Sequence, residues 1–405
     1  MTLPGLLPWP LFAAFLSVAG LPIYLHAPKF YVDSYGVPLA ALGAVLAGLR
    51  IVDLVQDPVL GWLSDRLGRR RGIAVAAAAG VLAAAMAGLF AVAPPVAPLL
   101  WFAAMLTLMF SAWSFLTVSF YAEGVARAER LPGGHLRLAA WRETGTLAGV
   151  CLAAMAPLLL GFAGFALGTA MLAAAAVFSM RREWTGLRPA ADGAGIRGLL
   201  ADPEARRLLL LVFVDLLPLA VTSTLFLFFA DYRLGAPEAA GPLLLLFFAA
   251  AALAAPVWGR LAERLGTRPV LMAAMALAVA SFAAVPLLGE GDAVPFAVIC
   301  VASGAALAAD LTLLPALFSA CLARIAPAAG QGFGLWGAIS KAAMALAALV
   351  LLPVLDRAGL QEGRTGAPLL LALLYGLLPL GLKLAAMALL AATPLEERKL
   401  PCPSS

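Results

Sequence analysis

The chain has 405 residues, of which 63% are hydrophobic and only 12% charged, with a net charge of +5. Soluble proteins average roughly 45–50% apolar and about 25% charged residues, so a water-soluble fold of this make-up would have to cover its own surface with apolar side chains and is excluded. A nucleic-acid binder is excluded too, because the basic residues sit in short turns between apolar runs and form no basic face.

Twelve runs reach the roughly 20 apolar residues that a spanning helix needs. They are predicted at 9–31, 37–62, 73–94, 97–121, 137–160, 163–180, 207–230, 238–261, 270–289, 293–321, 331–355 and 368–392. Pro22, Pro218 and Pro379 fall inside runs and predict kinks. Residues 1–8 lack a basic stretch, so no cleavable signal peptide is expected. Of the 27 Lys and Arg, nineteen fall in the even-to-odd turns, the central stretch and the tail, and four in the opposite turns. That asymmetry predicts both termini on the cytoplasmic face of a cytoplasmic (inner) membrane. The expected organisation is a six-helix bundle over 1–180, a polar linker over 181–206, a second six-helix bundle over 207–392 and a tail over 393–405. The expected partners are membrane lipids and a small solute, with the protein a monomer. Cys151, Cys300, Cys321 and Cys402 form no CxxC pair, and His26 and His135 are the only histidines. Neither a disulfide framework, a metal site nor a cofactor is therefore expected, and nothing resembles the catalytic constellation an enzyme needs.

The turn after the second span reads Pro58-Val-Leu-Gly61-Trp-Leu-Ser-Asp65-Arg66-Leu-Gly68-Arg-Arg70. The turn after the eighth reads Pro256-Val-Trp-Gly259-Arg-Leu-Ala-Glu263-Arg264-Leu-Gly266-Thr-Arg268. The two match at nine positions at a constant offset of 198 (259 − 61), which marks a duplicated six-helix unit. Gly61 and Gly259 would allow close helix approach. The acid and arginines would make charge-assisted hydrogen bonds that lock one arrangement of the halves and release in another.

Charges within spans cost several kcal/mol unless paired or turned to a cavity. Arg50, Asp53 and Asp57 share one face of the second span at spacings of three and four. The repeat supplies a control, since the matching positions in the second half are Ala251 and Ala255; the fold does not require acids there. Two carboxylates one turn apart repel, so one holds a proton or a cation sits between them. Lys341, deep in the eleventh span, would hold both acids when no cation is bound. In the fifth span, Arg142 lies beside Glu143 and precedes Gly145 and Gly149 at GxxxG spacing; Arg142 is a candidate to touch an anionic or hydroxylated solute. Asp215 and Asp310 are single charges, each a partner for Lys341 or Lys383. Lys383 itself reads as snorkelling or ion-paired.

The repeated turn resembles the motif of the major facilitator superfamily, which implies alternating access by rocking of two six-helix halves. The run Arg50-Ile-Val-Asp53-Leu-Val-Gln-Asp57-Pro58-Val-Leu-Gly61-Trp62 is similar to the second-helix signature of the glycoside–pentoside–hexuronide:cation symporters. Trp113-Ser114, Arg142, Asp310 and Lys341 fall at matching places, and the lysophospholipid symporters of animals share the acids and the lysine. The resemblance implies that Asp53 and Asp57 bind the coupling H⁺ or Na⁺, that Lys341 adjoins them, and that Trp113 and Arg142 line the solute pocket. Two acids that hold sugar hydroxyls in that family align with Ser17 and Met109, which weighs against a galactoside and toward a more apolar or anionic solute. The expected function is cation-coupled symport of an organic solute. The alternatives are a lysolipid or amphiphile symporter and a drug:H⁺ antiporter, although the antiporter motif is absent after Gly149.

Overall fold

The computed structural model describes residues 5–25, 27–131, 134–184, 195–325, 329–360 and 366–393, excepting the side chains of 21–25, 29, 39, 40, 47, 50, 51, 54, 154 and 158. His26, Cys402 and the side chains of Pro22 and Arg50 lie outside the described residues. All regular elements among the described residues are helical. They are α1 (Pro8–Leu25), α2 (Ala27–Tyr35), α3 (Leu39–Leu67), α4 (Arg71–Phe90), α5 (Pro98–Ala128), α6 (Gly134–Met180) and α7 (Gly195–Ala201). Then follow α8 (Pro203–Phe228), α9 (Ala240–Leu265), α10 (Thr267–Ala284), α11 (Ala293–Ile325), α12 (Ala329–Arg357) and α13 (Ala367–Ala392).

Nine helical stretches among the described residues are long and apolar enough to span a bilayer, with a shorter apolar stretch at Pro8–Gly20. That number treats α3 and α4 as one stretch and takes only the second part of α6. With α3 and α4 taken apart and α1 and the first part of α6 added, the described residues hold twelve helical segments that match the twelve predicted runs. α6 holds the predicted fifth and sixth spans, which part at Gly161, inside the expected gap between 160 and 163, where φ is +68°. This left-handed backbone needs a residue without Cβ, and Pro157 one turn earlier has no amide proton to continue the ladder. At Pro218 and Pro379, where kinks were expected, α8 and α13 run on without a break. The predicted linker contains α7, and α8 starts within it. Asp202 caps α8 by accepting from the backbone N–H of Glu204 and Ala205, each at 2.9 Å, with Pro203 in the first turn.

Large apolar residues line the outside, as a lipid solvent permits; Leu287 is 83% exposed and Val294 77%. Inside the first half α1 packs along α6, and Trp9 and Phe12 of α1 stack on Phe120 of α5 at 4.9–5.1 Å. The two halves meet where α3 lies on α12 and α6 on α9.

Candidate functional site

Asp53 and Asp57 sit four residues apart on α3, and both are buried. The helix that covers them is α12, which comes close because Gly334 and Gly337 face α3. A Cβ on Gly334 would stand 2.5 Å from the Asp57 carbonyl oxygen, and one on Gly337 2.7 Å from Asp57 Oδ2. One turn beyond Gly337, Lys341 reaches back into the pair. Its Nζ lies 2.9 Å from Asp57 Oδ1 and 3.4 Å from Asp53 Oδ2, and donates to Ser114 Oγ at 2.9 Å. Gln56 Nε2 donates to Asp53 Oδ1 at 2.5 Å, and Ser111 Oγ in turn donates to Gln56 Oε1 at 3.0 Å. Asp53 Oδ2 accepts no hydrogen bond. The Trp113 ring centroid is 5.9 Å from Lys341 Nζ. Among the described residues, two carboxylates thus share one ammonium in a desolvated place.

Arg142, on α6, is also buried. Its guanidinium lies over Tyr121, with Cζ 3.8 Å from the ring centroid, within cation–π range. Its Nε and Nη2 have no hydrogen-bond partner. Glu143 next to it is buried as well. Tyr121 also packs on Phe333 of α12 at 4.9 Å, so the arginine lies at the seam between halves. Burial, and then the Arg142 charge, push the His135 imidazole down to about 4. Close contact of α1 with α6 positions this wall: a Cβ on Gly149 would stand 2.5 Å from the Ala14 carbonyl oxygen, and one on Gly145 would overlap the Pro10 backbone. Ser17 lies against Gly149. Trp113 Nε1 donates to the Leu16 carbonyl at 2.9 Å, fixing the indole against α1. Met109 is fully enclosed in the hydrophobic core of the first half, where a solute would not meet it without rearrangement.

At the end of α3, Asp65 accepts from the backbone N–H of Gly330 and Gln331, both at 2.9 Å, in the first turn of α12. Gly61 belongs to the same contact, because a Cβ there would overlap the Gly330 carbonyl. The basic partner of Asp65 is Arg71, at 3.6 Å, rather than Arg66 or Arg70. Arg71 is buried; it also pairs with Glu123 at 3.1 Å and donates to the Ser64 carbonyl. Arg66 instead lies over Trp62, and Arg70 is exposed. Sequence reading missed Arg71 and Glu123; an acid just beyond a span and an arginine one residue past the motif were the available signals. Gly68, with φ +49°, ends α3. The second copy differs. Gly259 packs on Ala140 of α6, Gly266 ends α9, Arg268 donates to the Ala391 carbonyl, and Glu263 and Arg264 are exposed. Both glycine contacts shut the halves at the same, arginine-rich end.

The single charges of the second half find one another. Lys383 Nζ is 2.5 Å from Asp215 Oδ1 and 2.5 Å from Asp310 Oδ2, with all three residues buried. Both acids therefore take Lys383, and neither takes Lys341.

The model of the MFS/sugar transport protein family matches residues 9–397. The fold is similar to an outward-facing crystal structure of a bacterial homologue of the iron transporter ferroportin, at 16% identity and TM-score 0.69, covering 97% of this chain and 99% of that one. It is also similar to a structure of a variant of the E. coli fucose:proton symporter, at 13% identity and TM-score 0.65, covering 94% and 98% of the two chains. No curated protein sequence matches. The chain belongs to the MFS/sugar transport protein family, and it is a multi-pass membrane transporter of the major facilitator fold rather than an enzyme.

Proposed function

We propose that the protein is a symporter that draws an organic solute across the cytoplasmic membrane with H⁺ or Na⁺, and that the ion binds between Asp53 and Asp57. The observation that carries this reading is Lys341 reaching both acids from the opposite half. Without an ion, the lysine ties α12 to α3. An ion that takes Asp53 Oδ2 and Asp57 offsets carboxylate charge there and weakens the grip of Lys341, so ion occupancy acts directly on the contact between halves. With both termini cytoplasmic, the arginine-rich end shut by Asp65 faces the cytoplasm, and the solute enters from outside.

Arg142 is the solute anchor. A buried guanidinium with two unpartnered nitrogens calls for an acceptor, and its planar fork suits a carboxylate, a phosphate or vicinal hydroxyls. The same observation, with Ser17 and Met109 where a sugar site would need acids, favours a lysolipid or other anionic amphiphile as the second reading.

Uptake into proteoliposomes under separate Na⁺ and H⁺ gradients, with a panel of sugars, organic acids and lysolipids, tests both. Gradient-dependent accumulation of one class that Asp57→Asn removes is the expected result. Accumulation that persists in Asp57→Asn would overturn the coupling site.

A further inference from the structure

The second half carries a cavity that the coupling reading does not use. It lies between α8, α9, α10, α11 and α13 and holds about 790 Å³ of empty space, its open mouth included. Six aromatic rings wall it: Phe226, Phe247, Phe248, Phe282, Phe296 and Tyr375. Its polar end is the buried Asp215–Lys383–Asp310 triad. Asp215 is twelve residues into α8, roughly 18 Å along the helix axis, which puts the triad near mid-membrane depth.

The charge arithmetic is specific. Two carboxylates and one ammonium leave one negative charge. Both Lys383 contacts use Asp215 Oδ1 and Asp310 Oδ2, and Asp310 Oδ1 has no hydrogen-bond partner although the residue is only 6% exposed. The hydroxyls of Thr222 and Ser303 do not compete, because each donates to its own helix at Pro218 and Ile299. The fold does not demand the acid either: at the repeat offset (215 − 198 = 17), the first half carries Ser17 in place of Asp215. The other titratable groups lining the cavity, Cys300 on α11 and Tyr375 on α13, are neutral in ordinary form.

An apolar, aromatic-walled cavity with one unpaired buried carboxylate oxygen suits a cation with an apolar body. The rings favour the cation through their quadrupoles, and the carboxylate supplies the one strong acceptor. We infer that this cavity is a second binding site, for an organic ammonium ion with an aromatic or aliphatic tail, anchored on Asp310. The site stands apart from the Asp53–Asp57 cluster and does not depend on how that cluster works.

Calorimetry on the purified full chain with phenethylammonium and its neutral counterpart 2-phenylethanol tests it. The expected result is saturable binding of the ammonium at least tenfold tighter than the alcohol, with Asp310→Asn abolishing that preference. Should Asp310→Asn fail to fold, Phe247→Trp, which fills the cavity while leaving the charges, is expected to weaken the ammonium by a similar factor. Asp57→Asn separates the two sites: phenethylammonium affinity unchanged in that variant supports the cavity, whereas its loss there places the cation at the other cluster and overturns the proposal. Equal affinity for alcohol and ammonium overturns it as mere apolar partitioning. A triad that responds to pH alone, with no ammonium binding, overturns it in favour of a proton.

Discussion

Asp65 belongs to α3, yet its carboxylate caps the first turn of α12 by accepting from Gly330 N–H at 2.9 Å, across the boundary between the halves. The free amides and positive end of a helix N-terminus favour an anion, and the approach is possible because Gly61 and Gly330 have no side chains: a Cβ on Gly330 would stand 2.6 Å from Asp65 Oδ1. Read as a latch, the acid of the repeated motif would hold the halves through backbone amides, one form of the charge-assisted lock the sequence leads one to expect of that turn.

Removing that charge should loosen the closed end. Hydrogen bonds to charged groups contribute about 1.5–3 kcal/mol each, so Asp65→Asn, which weakens two of them, should shift the equilibrium between open and closed ends by roughly 10- to 100-fold. Spin labels at the exposed positions Arg69→Cys and Arg264→Cys, in a background without native cysteines, report the gap across the halves. A longer, broader distance distribution is expected in Asp65→Asn. An unchanged one would rule out the latch.

Lys341 and Asp57 should behave as opposites. Asp57→Asn removes one of the two proposed ion ligands and should end uphill accumulation while solute exchange at equal concentrations continues. Lys341→Met leaves two facing carboxylates without their ammonium, so the coupling ion should bind at least tenfold more tightly and accumulation should slow. Ion-dependent thermal shifts on the two purified variants measure this. If Lys341→Met weakened ion binding, the lysine would be a support for the ion and not its competitor.

Much of this was legible in the sequence. The apolar runs marked the spans, and the offset between Gly61 and Gly259 marked the duplication. Asp53 and Asp57 stood out because charge inside a span is costly and their spacing fixes a common face. Pairing was less legible where it depends on how helices rotate against one another. Nothing in the local sequence distinguishes Lys341 from Lys383 as the partner of Asp310, and the stacking of Arg142 on Tyr121 joins helices whose facing sides no periodicity sets. Arg71 escaped notice because one residue of turn geometry at Gly68 decides which arginine points inward. The break between the fifth and sixth spans was expected between residues 160 and 163, where Gly161 makes it, but the composition alone does not show that Gly161 does so in a left-handed backbone.

The seam between α1 and α6 should be intolerant of side chains. Gly149→Ala would bring Cβ to 2.5 Å from the Ala14 carbonyl and 2.8 Å from its Cα, both backbone atoms that must move. Overpacking of that kind costs about 1–3 kcal/mol. Gly80→Ala on exposed α4 is the control, because nothing lies within 4 Å of its Cβ; there the better helix propensity of alanine should leave stability equal or slightly raised. Thermal unfolding in detergent should show a lowered Tm for Gly149→Ala alone. Equal Tm values would mean that α1 is not held by this contact.

His135 gives a prediction with a definite sign in pH. Its imidazole is held at about 4, first by burial and then by Arg142, against about 6.5 in an unfolded chain. Between those values the unfolded state binds the proton and the folded state does not, so stability rises with pH across that window. The contribution is complete above about pH 6.5 and is lost as pH falls toward 4, with an upper limit of about 3 kcal/mol. Because Nδ1 is buried without a partner, a neutral amide of similar reach is tolerable there. His135→Gln should therefore lose less Tm than the unaltered protein between pH 6.5 and pH 4.5, with the two curves converging in slope above pH 7. Parallel curves across the whole range would show that this imidazole titrates normally in the folded protein.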